Sequence, residues 1–362
     1  MVGGAIRDRL LGLPVKDIDY VVVGASPEEL IEKGFKPVGQ DFPVFLHPAT
    51  NQEYALARTE RKVAPGYKGF VFHANPEVTL EEDLARRDLT VNAIAQEVSE
   101  AGQPIGELID PFDGVGDIQK KVLRHIGPAF TEDPVRLLRV ARFAARFSEF
   151  SVAPETIQLL KQIGQSGELK ALVKERVWQE FSKGLMADKP SRLLETLKAC
   201  EVFESFFPNA LLQDEQLNIR LDTAAAQGFN LSQRIACLWA LQNSEIILAW
   251  SSQWGIPTEC KDYALLTSLL AQTLSKFNLK AEDYLDLLDR VDVWRKPERF
   301  GELNKVIDLL AYSTDELNTA YLAAQKVDVA QIAADVSEVG AQAGSMIKEK
   351  IRAARLGAIK AL

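Results

Sequence analysis

The chain has 362 residues, 47% hydrophobic and 26% charged, with a formal net charge of −9. That is the composition of an ordinary soluble globular protein with room for two or three cores, and no apolar run nears the roughly 20 residues a membrane helix needs. The acidic balance argues against a protein that coats nucleic acid, although a local basic surface can still grip RNA.

The N-terminus Met1-Val-Gly-Gly-Ala-Ile-Arg-Asp carries no apolar signal core. Cys200, Cys237 and Cys260 are too few and too scattered for a disulfide framework, and no Cys-x-x-Cys occurs. They read as buried thiols of a cytoplasmic protein. The three histidines, His47, His73 and His125, lie in no ligand spacing, which excludes a histidine-rich metal site.

The first 127 residues are rich in turn residues and short β-branched runs, with strands expected at Tyr20–Gly24, Val44–Leu46 and Glu107–Asp110. Helices are expected at Pro27–Lys33 and Glu81–Ala95, giving an α+β domain. Gly3-Gly4-x-x-Arg7-Asp8 falls where a chain turns into a helix, and backbone N–H groups there can approach a triphosphate. Asp17-x-Asp19 opens an apolar run. Two residues apart on a strand, both carboxylates would share a face, with Ile18 turned into the core.

Adjacent carboxylates repel, and hard cations such as Mg²⁺ relieve that repulsion. Two metals about 4 Å apart can activate a hydroxyl and stabilise the leaving oxygen of an in-line displacement. Alone, the Asp-x-Asp pattern is a weak signal; joined to the upstream glycine pair, it reads as a metal site.

Asp83-Leu-Ala-Arg86-Arg87-Asp88-Leu-Thr-Val-Asn92 follows. On a helix, Asp88 and Asn92 share a face while Leu89, Ala93 and Ile94 serve the core. The arginines suit a phosphate clamp, or equally a surface helix with ion pairs from Asp83. From about residue 128 the texture becomes helical. Glu132-Asp133-Pro-Val-Arg136-Leu-Leu-Arg139 places Asp133, Arg136 and Arg139 on one stripe, with Leu137, Leu138, Val140, Ala141 and Ala144 packing elsewhere. Aspartate accepts from an exocyclic amino group and arginine donates to a ring nitrogen or carbonyl, so the pair could read the edge of C or A. Asp133 also fits a plain helix cap. Further helices are expected at Glu155–Ile163, Ser191–Cys200, Ala281–Val291 and Ser345–Leu356, the last carrying Lys348, Lys350, Arg352 and Arg355, with Lys360 beyond it. That basic run is either a solvated helix face or an RNA contact.

Together these motifs, with Asp41–Pro48, Glu53–Lys62 and Asp110-Pro-Phe-Asp-Gly, resemble the bacterial CCA-adding tRNA nucleotidyltransferases, class II enzymes of the poly(A) polymerase family within the polymerase β superfamily. The resemblance is close over residues 1–205 and diffuse beyond, where only Lys350-Ile-Arg-Ala-Ala-Arg-Leu-Gly is familiar. It implies a polymerase β-like α+β head (1–127), then an all-α neck (128–205) and an all-α body and tail that bind tRNA (206–362). CTP and ATP would share one site. Asp17 and Asp19 would be the catalytic Mg²⁺ ligands, and Gly4, Arg7, Arg87, Arg136 and Arg139 would hold the nucleotide. Asp133 and Arg136 would act as the template for the base, with Asp88 and Asn92 near its ribose.

Residues Arg61–Leu80, with Pro65, Gly66, Gly69 and Pro76, match the loop that family members use in switching from C to A addition. Two departures stand out. Met1 directly precedes Val2, so either the strand that leads into the glycine pair in relatives is shortened here or the chain is a trimmed version. No His-Asp dipeptide exists, so the phosphohydrolase activity of multifunctional relatives is not expected. The rival readings are a poly(A) polymerase of the same family and, from another class, a catalytically silent RNA-binding helical protein, which would show a broken carboxylate pair or a lost glycine turn.

Overall fold

Strands of three or four residues build the first sheet. In this computed structural model, which describes residues 1–38, 44–62, 70–73, 75–99, 102–336 and 343–362, the chain forms two units, Met1–Phe207 and Pro208–Leu362. The first unit opens with α1 (Gly4–Leu10), β1 (Tyr20–Val22), α2 (Pro27–Glu32), β2 (Lys36–Val38), β3 (Val44–Leu46) and β4 (Glu53–Leu56). The sheet order is β1-β4-β3-β2, with β1 parallel to β4 and the other pairs antiparallel. Tyr20 lies opposite Tyr54, and their rings stack 4.4 Å apart. Leu30, Phe45 and Leu56 form the core beneath. The α2 helix starts where the sequence predicts because Ser26 and Glu29 form a reciprocal capping box ahead of Pro27.

β5 (Thr59–Lys62) and β6 (Phe70–His73) pair antiparallel. Pro65, Gly66 and Gly69 of the expected switching loop lie outside the described residues, as do Asp41, Phe42 and Pro43. Then come α3 (Leu80–Ala85), β7 (Ala95–Val98), β8 (Pro104–Ile109), α4 (Gly114–Lys120) and β9 (Val122–Leu123).

The helix expected over Glu81–Ala95 is therefore not continuous. It begins at a Thr79/Glu82 capping box and stops at Ala85; a 3₁₀ turn at Thr90–Asn92 then leads into β7. Tertiary bonds override helix propensity here. Leu89 bridges to His125, the Thr90 amide donates to Arg124 O at 2.9 Å, and the Thr90 hydroxyl donates to Asp117 at 2.7 Å. Leu89, Ala93 and Ile94 are fully buried, as their apolar character requires.

The remainder of the unit is mainly helical: α5 (Val135–Arg146), the two-residue β10 (Ser151–Val152), α6 (Pro154–Gln165), α7 (Lys174–Leu185), α8 (Ser191–Ala199) and α9 (Phe203–Phe206). α5 begins at Val135, after a 3₁₀ turn over Pro128–Glu132, and packs on α7 and α8 through Leu137, Leu138, Val140, Ala141 and Ala144. That burial leaves its arginine stripe facing away from the core.

The second unit is helical over its described residues. It comprises α10 (Leu217–Ala226), α11 (Leu231–Trp239), α12 (Ser244–Trp254), α13 (Thr258–Leu274), α14 (Ala281–Arg290), α15 (Pro297–Asp308), α16 (Asp315–Gln325), α17 (Val329–Val336) and α18 (Ala343–Lys360). Among the described residues no helix is long and apolar enough to cross a membrane. All three cysteines are free and buried. Burial pushes the Cys200 and Cys237 thiols up to about 12.

The basic run on α18 divides. Arg352 pairs with Asp286 and Asp289 of α14, Lys360 with Glu282 at 2.6 Å, and the Arg355 guanidinium lies 3.5 Å from the Trp294 ring centre. Those three serve packing within the unit, while Lys348 and Lys350 are exposed.

Candidate active site

Gly3 takes a φ of +68°, a left-handed conformation that L side chains rarely adopt. A Cβ there would sit 2.8 Å from Nη1 of Arg87, so the glycine admits both the turn and the guanidinium. The turn is held by the Gly3 amide donating to Ile94 O at 2.9 Å, and Val2 makes only isolated bridges, to Asp19 and Ala95. This arrangement starts α1 at Gly4 and sends Arg7 and Asp8 inward.

A cleft of about 470 Å³ opens beside this turn. Gly4, Arg7, Asp19, Arg87, Asp88, Asn92, Asp133, Arg136 and Arg139 all line it. Nine of the ten residues singled out from the sequence thus meet at one place, although they come from segments more than a hundred residues apart. Asp17 does not line the cleft. The strand that was to carry it begins only at Tyr20; Asp17 sits in irregular chain, and Ile18 is half-buried rather than part of the core. The chain ahead of Tyr20 lacks a ladder partner except at Asp19, whose carbonyl accepts from Val2 at 3.0 Å. Both carboxylates are exposed, and among the described residues neither has a side-chain partner.

Most of the other charged groups are braced. Arg7 is buried; its Nε and Nη2 donate to Asp8 at 2.9 and 2.8 Å, and its Nη1 donates to Asn92. Its guanidinium lies over Phe143 and Phe147, 5.2 and 5.0 Å from the ring centres. The second Asp8 oxygen accepts from Arg146 at 2.7 Å. Asp83, fully buried, accepts from Arg86 at 2.7 Å and from Arg87 at 3.3 Å. The ion pairs and the cleft arginines are therefore compatible: Asp83 anchors the two guanidiniums from behind.

Asp88 accepts from the Leu89 amide and Asn92 Nδ2, each at 2.8 Å, on one oxygen; the other accepts from Arg139 Nε at 2.7 Å and lies 2.6 Å from its Nη2. Four donors fill its acceptor capacity. Burial alone would raise this carboxyl's pKa, but Arg139 and the donated hydrogen bonds hold it far below the usual carboxylate range. Reciprocally, the Asp88 charge raises Arg139 above its ordinary value.

Asp133 sits in extended backbone between the 3₁₀ turn and α5. Its Oδ1 accepts from the Val135 amide at 3.2 Å, at the start of α5, whose N-cap position is Pro134. Both its oxygens also accept from Arg176 of α7, at 3.2 and 2.7 Å. Arg136 donates to the carbonyls of Ala129 and Arg86 and lies over the Phe130 ring.

Arg86, read from the sequence with Arg87 as one of a pair of clamp arginines, lines the cleft, which also recruits residues that sequence reasoning missed: Arg142, Phe143, Arg146 and Arg176. Arg142 and Arg146 continue the α5 stripe at steps of three and four, a visible signal. Arg176 lies on a different helix, and no spacing rule links it to Asp133. The two oxygens of Asp110 accept from the Gly114 and Val115 amides at 2.7 and 2.8 Å in the turn leading into α4.

Residues 1–124 match the family described as Poly A polymerase head domain, and residues 149–212 that described as probable RNA and SrmB-binding site of polymerase A. A CCA-adding enzyme of Bordetella pertussis is 48% identical over 360 residues, 99% of this chain and 95% of the relative. The chain belongs to the CCA-adding nucleotidyltransferase family. A multifunctional CCA protein of Burkholderia cenocepacia is 44% identical over 404 aligned positions, 99% of this chain and 97% of that protein. The family likeness therefore runs through the second unit, where the motifs are diffuse. Among solved structures, a tRNA-processing enzyme with CTP is 27% identical at a TM-score of 0.59, covering 97% of this chain and 95% of that one. The Thermotoga maritima CCA-adding enzyme complexed with tRNA, 22% identical at a TM-score of 0.64, covers 100% of this chain and 87% of its own; it shares the fold.

Proposed function

We propose that this family member adds C, C and A in turn to the 3′ end of tRNA, using CTP and ATP and no nucleic-acid template. The observation that carries this reading is the single cleft in which Asp19, a braced set of arginines and the Asp133/Arg136 pair converge. The tRNA 3′-hydroxyl attacks the α-phosphate; a new 3′-oxygen–phosphorus bond forms, the α–β bridging bond breaks, and pyrophosphate leaves.

Arg7, Arg87, Arg136 and Arg139 hold the nucleotide, with Gly4 allowing its phosphates close to the backbone. Arg7, Arg87 and Arg139 are fixed by Asp8, Asn92, Asp83 and Asp88, and Arg136 by the carbonyls of Ala129 and Arg86, before substrate arrives, so little reorganisation is needed as charge develops. Asp88 and Asn92 lie on the ribose side as braces, since their polar atoms are already engaged. Asp133 and Arg136 read the base edge, acceptor and donor side by side.

Asp17 and Asp19 would hold Mg²⁺; two exposed carboxylates are the hard anionic donors that ion takes, with water and phosphate completing its shell. When bound, the ion supplies positive charge at the triphosphate and the reacting oxygens. Residues 1–127 are assigned as head, 128–205 as neck and 206–362 as body and tail, acting on tRNA in the cytoplasm.

Incubation with Mg²⁺ and a tRNA lacking its CCA end, with CTP and ATP together and separately, tests this. Addition of C, C and A is expected. A long A tail from ATP alone would instead establish poly(A) addition, and no incorporation would sink both.

A further inference from the structure

α7 contributes no residue to the motifs read from the sequence, yet two of its side chains one helical turn apart bond residues of the cleft, and Arg176 itself lines it. Arg176 takes both oxygens of Asp133, at 3.2 and 2.7 Å. Glu180, buried, accepts from Arg142 and lies 3.9 Å from Arg139. Residues four apart on a helix share a face, so one face of α7 supplies counter-charges to the α5 stripe.

The two contacts differ in consequence. A carboxylate turns easily about its terminal torsion, which has no sharp rotamer wells. To accept from a base amino group in the plane of that base, it needs a fixed plane as well as a fixed position. The Val135 amide restrains one oxygen of Asp133 and leaves the plane free. The two-pronged guanidinium of Arg176 removes that freedom, because a planar fork and a planar carboxylate are held coplanar by paired hydrogen bonds. Lysine could supply the charge but not the plane. The acceptor count leaves room for substrate: the Val135 amide and Arg176 Nη1 on Oδ1 and Arg176 Nη2 on Oδ2 occupy three of four lone-pair positions, and the fourth is on Oδ2.

We infer that Arg176 is a positioning residue for nucleotide selection: it orients the Asp133 carboxylate so that one remaining lone pair meets the exocyclic amino group of C or A. UTP and GTP carry a carbonyl where CTP and ATP carry that amino group, and a carbonyl facing a fixed carboxylate lone pair is repelled. Selection against them should therefore depend on Arg176, although Arg176 itself need not touch the base. This rests on the assignment of Asp133 to base reading.

The full-length protein with Arg176→Lys and, separately, Arg176→Gln should be compared with wild type for kcat/KM on CTP, UTP, ATP and GTP, using tRNA lacking CCA and tRNA lacking only A. In both variants the CTP/UTP and ATP/GTP ratios should fall tenfold or more, with UTP and GTP incorporation rising relative to CTP and ATP. Asp133→Asn combined with Arg176→Lys should lose no more discrimination than Asp133→Asn alone. Ratios that stay at the wild-type value, or an equal fall for all four nucleotides, overturn the inference and leave Arg176 a structural brace. If either variant is too unstable to assay, direct binding of CTP against UTP to the other decides by the same ratio. A wild-type protein that incorporates nothing would instead overturn the proposed function.

Discussion

Asp88 and Arg139, fifty-one residues apart, form a two-pronged pair in which Nε donates at 2.7 Å and Nη2 lies at 2.6 Å from the same carboxylate oxygen. The pair ties the segment after α3 to the half-buried arginine stripe of α5, and through Asn92 it reaches Arg7.

Asp88→Asn should therefore destabilise the protein by about 2 kcal/mol, the scale of hydrogen bonds to a buried charge whose arginine partner is partly exposed. Because the folded carboxyl lies below its unfolded value, its contribution is complete above the ordinary carboxylate range, near pH 4, and is lost as pH falls through the depressed folded value. Urea unfolding at pH 7 and pH 3 checks this: the gap between wild type and Asp88→Asn should narrow at the lower pH. An equal gap at both would contradict the assigned ionisation.

Gly3→Ala should cost about 1–2 kcal/mol from the left-handed backbone. It should also raise KM for CTP, because the new Cβ displaces Arg87. Gly12, with the same φ of +68° and nothing within 4 Å of an added Cβ, provides the control. Gly12→Ala should show the strain in a thermal melt with KM unchanged.

Asp17→Asn and Asp19→Asn should each leave stability within about 0.5 kcal/mol, as expected for exposed side chains. Incorporation should nevertheless fall by on the order of a thousandfold, the scale of several kcal/mol of lost charge stabilisation. A chelator should abolish wild-type activity and added Mg²⁺ restore it; activity that survives chelation would remove the metal from the mechanism.

On α18, Arg355→Ala should lower stability by about 1–2 kcal/mol through its lost contact with Trp294. Lys348→Ala and Lys350→Ala should leave the melt unchanged. If these lysines contact RNA, their loss should weaken tRNA binding and flatten its salt dependence, which filter binding at two ionic strengths would detect.

The fold was readable wherever one local rule dominated. The Ser26 cap with Pro27, the β-branched run after Asp19 and the apolar spacing of Leu137, Leu138, Val140 and Ala141 each specify their element without help. Misreadings came where distant partners outvoted local preference. Glu81–Ala95 has helical spacing, but Leu89 and Thr90 are claimed by residues 124 and 125 of another segment. Asp17 looked like strand because Tyr20–Val22 is strand, yet a ladder needs a partner, and Asp19 alone has one. The site was legible through its contiguous motifs. Arg176 was not, since an ion pair spanning forty-three residues leaves no periodicity in the chain.

Eight guanidiniums and three carboxylates line the cleft of a chain whose net charge is −9. To a polyanion in solution, this mouth attracts although the chain as a whole carries a net negative charge. Field lines concentrated there would draw in triphosphate and RNA terminus along the same narrow approach, with an on-rate that falls as ions shorten the reach of that field. The two substrates would thus compete for entry before they cooperate in chemistry.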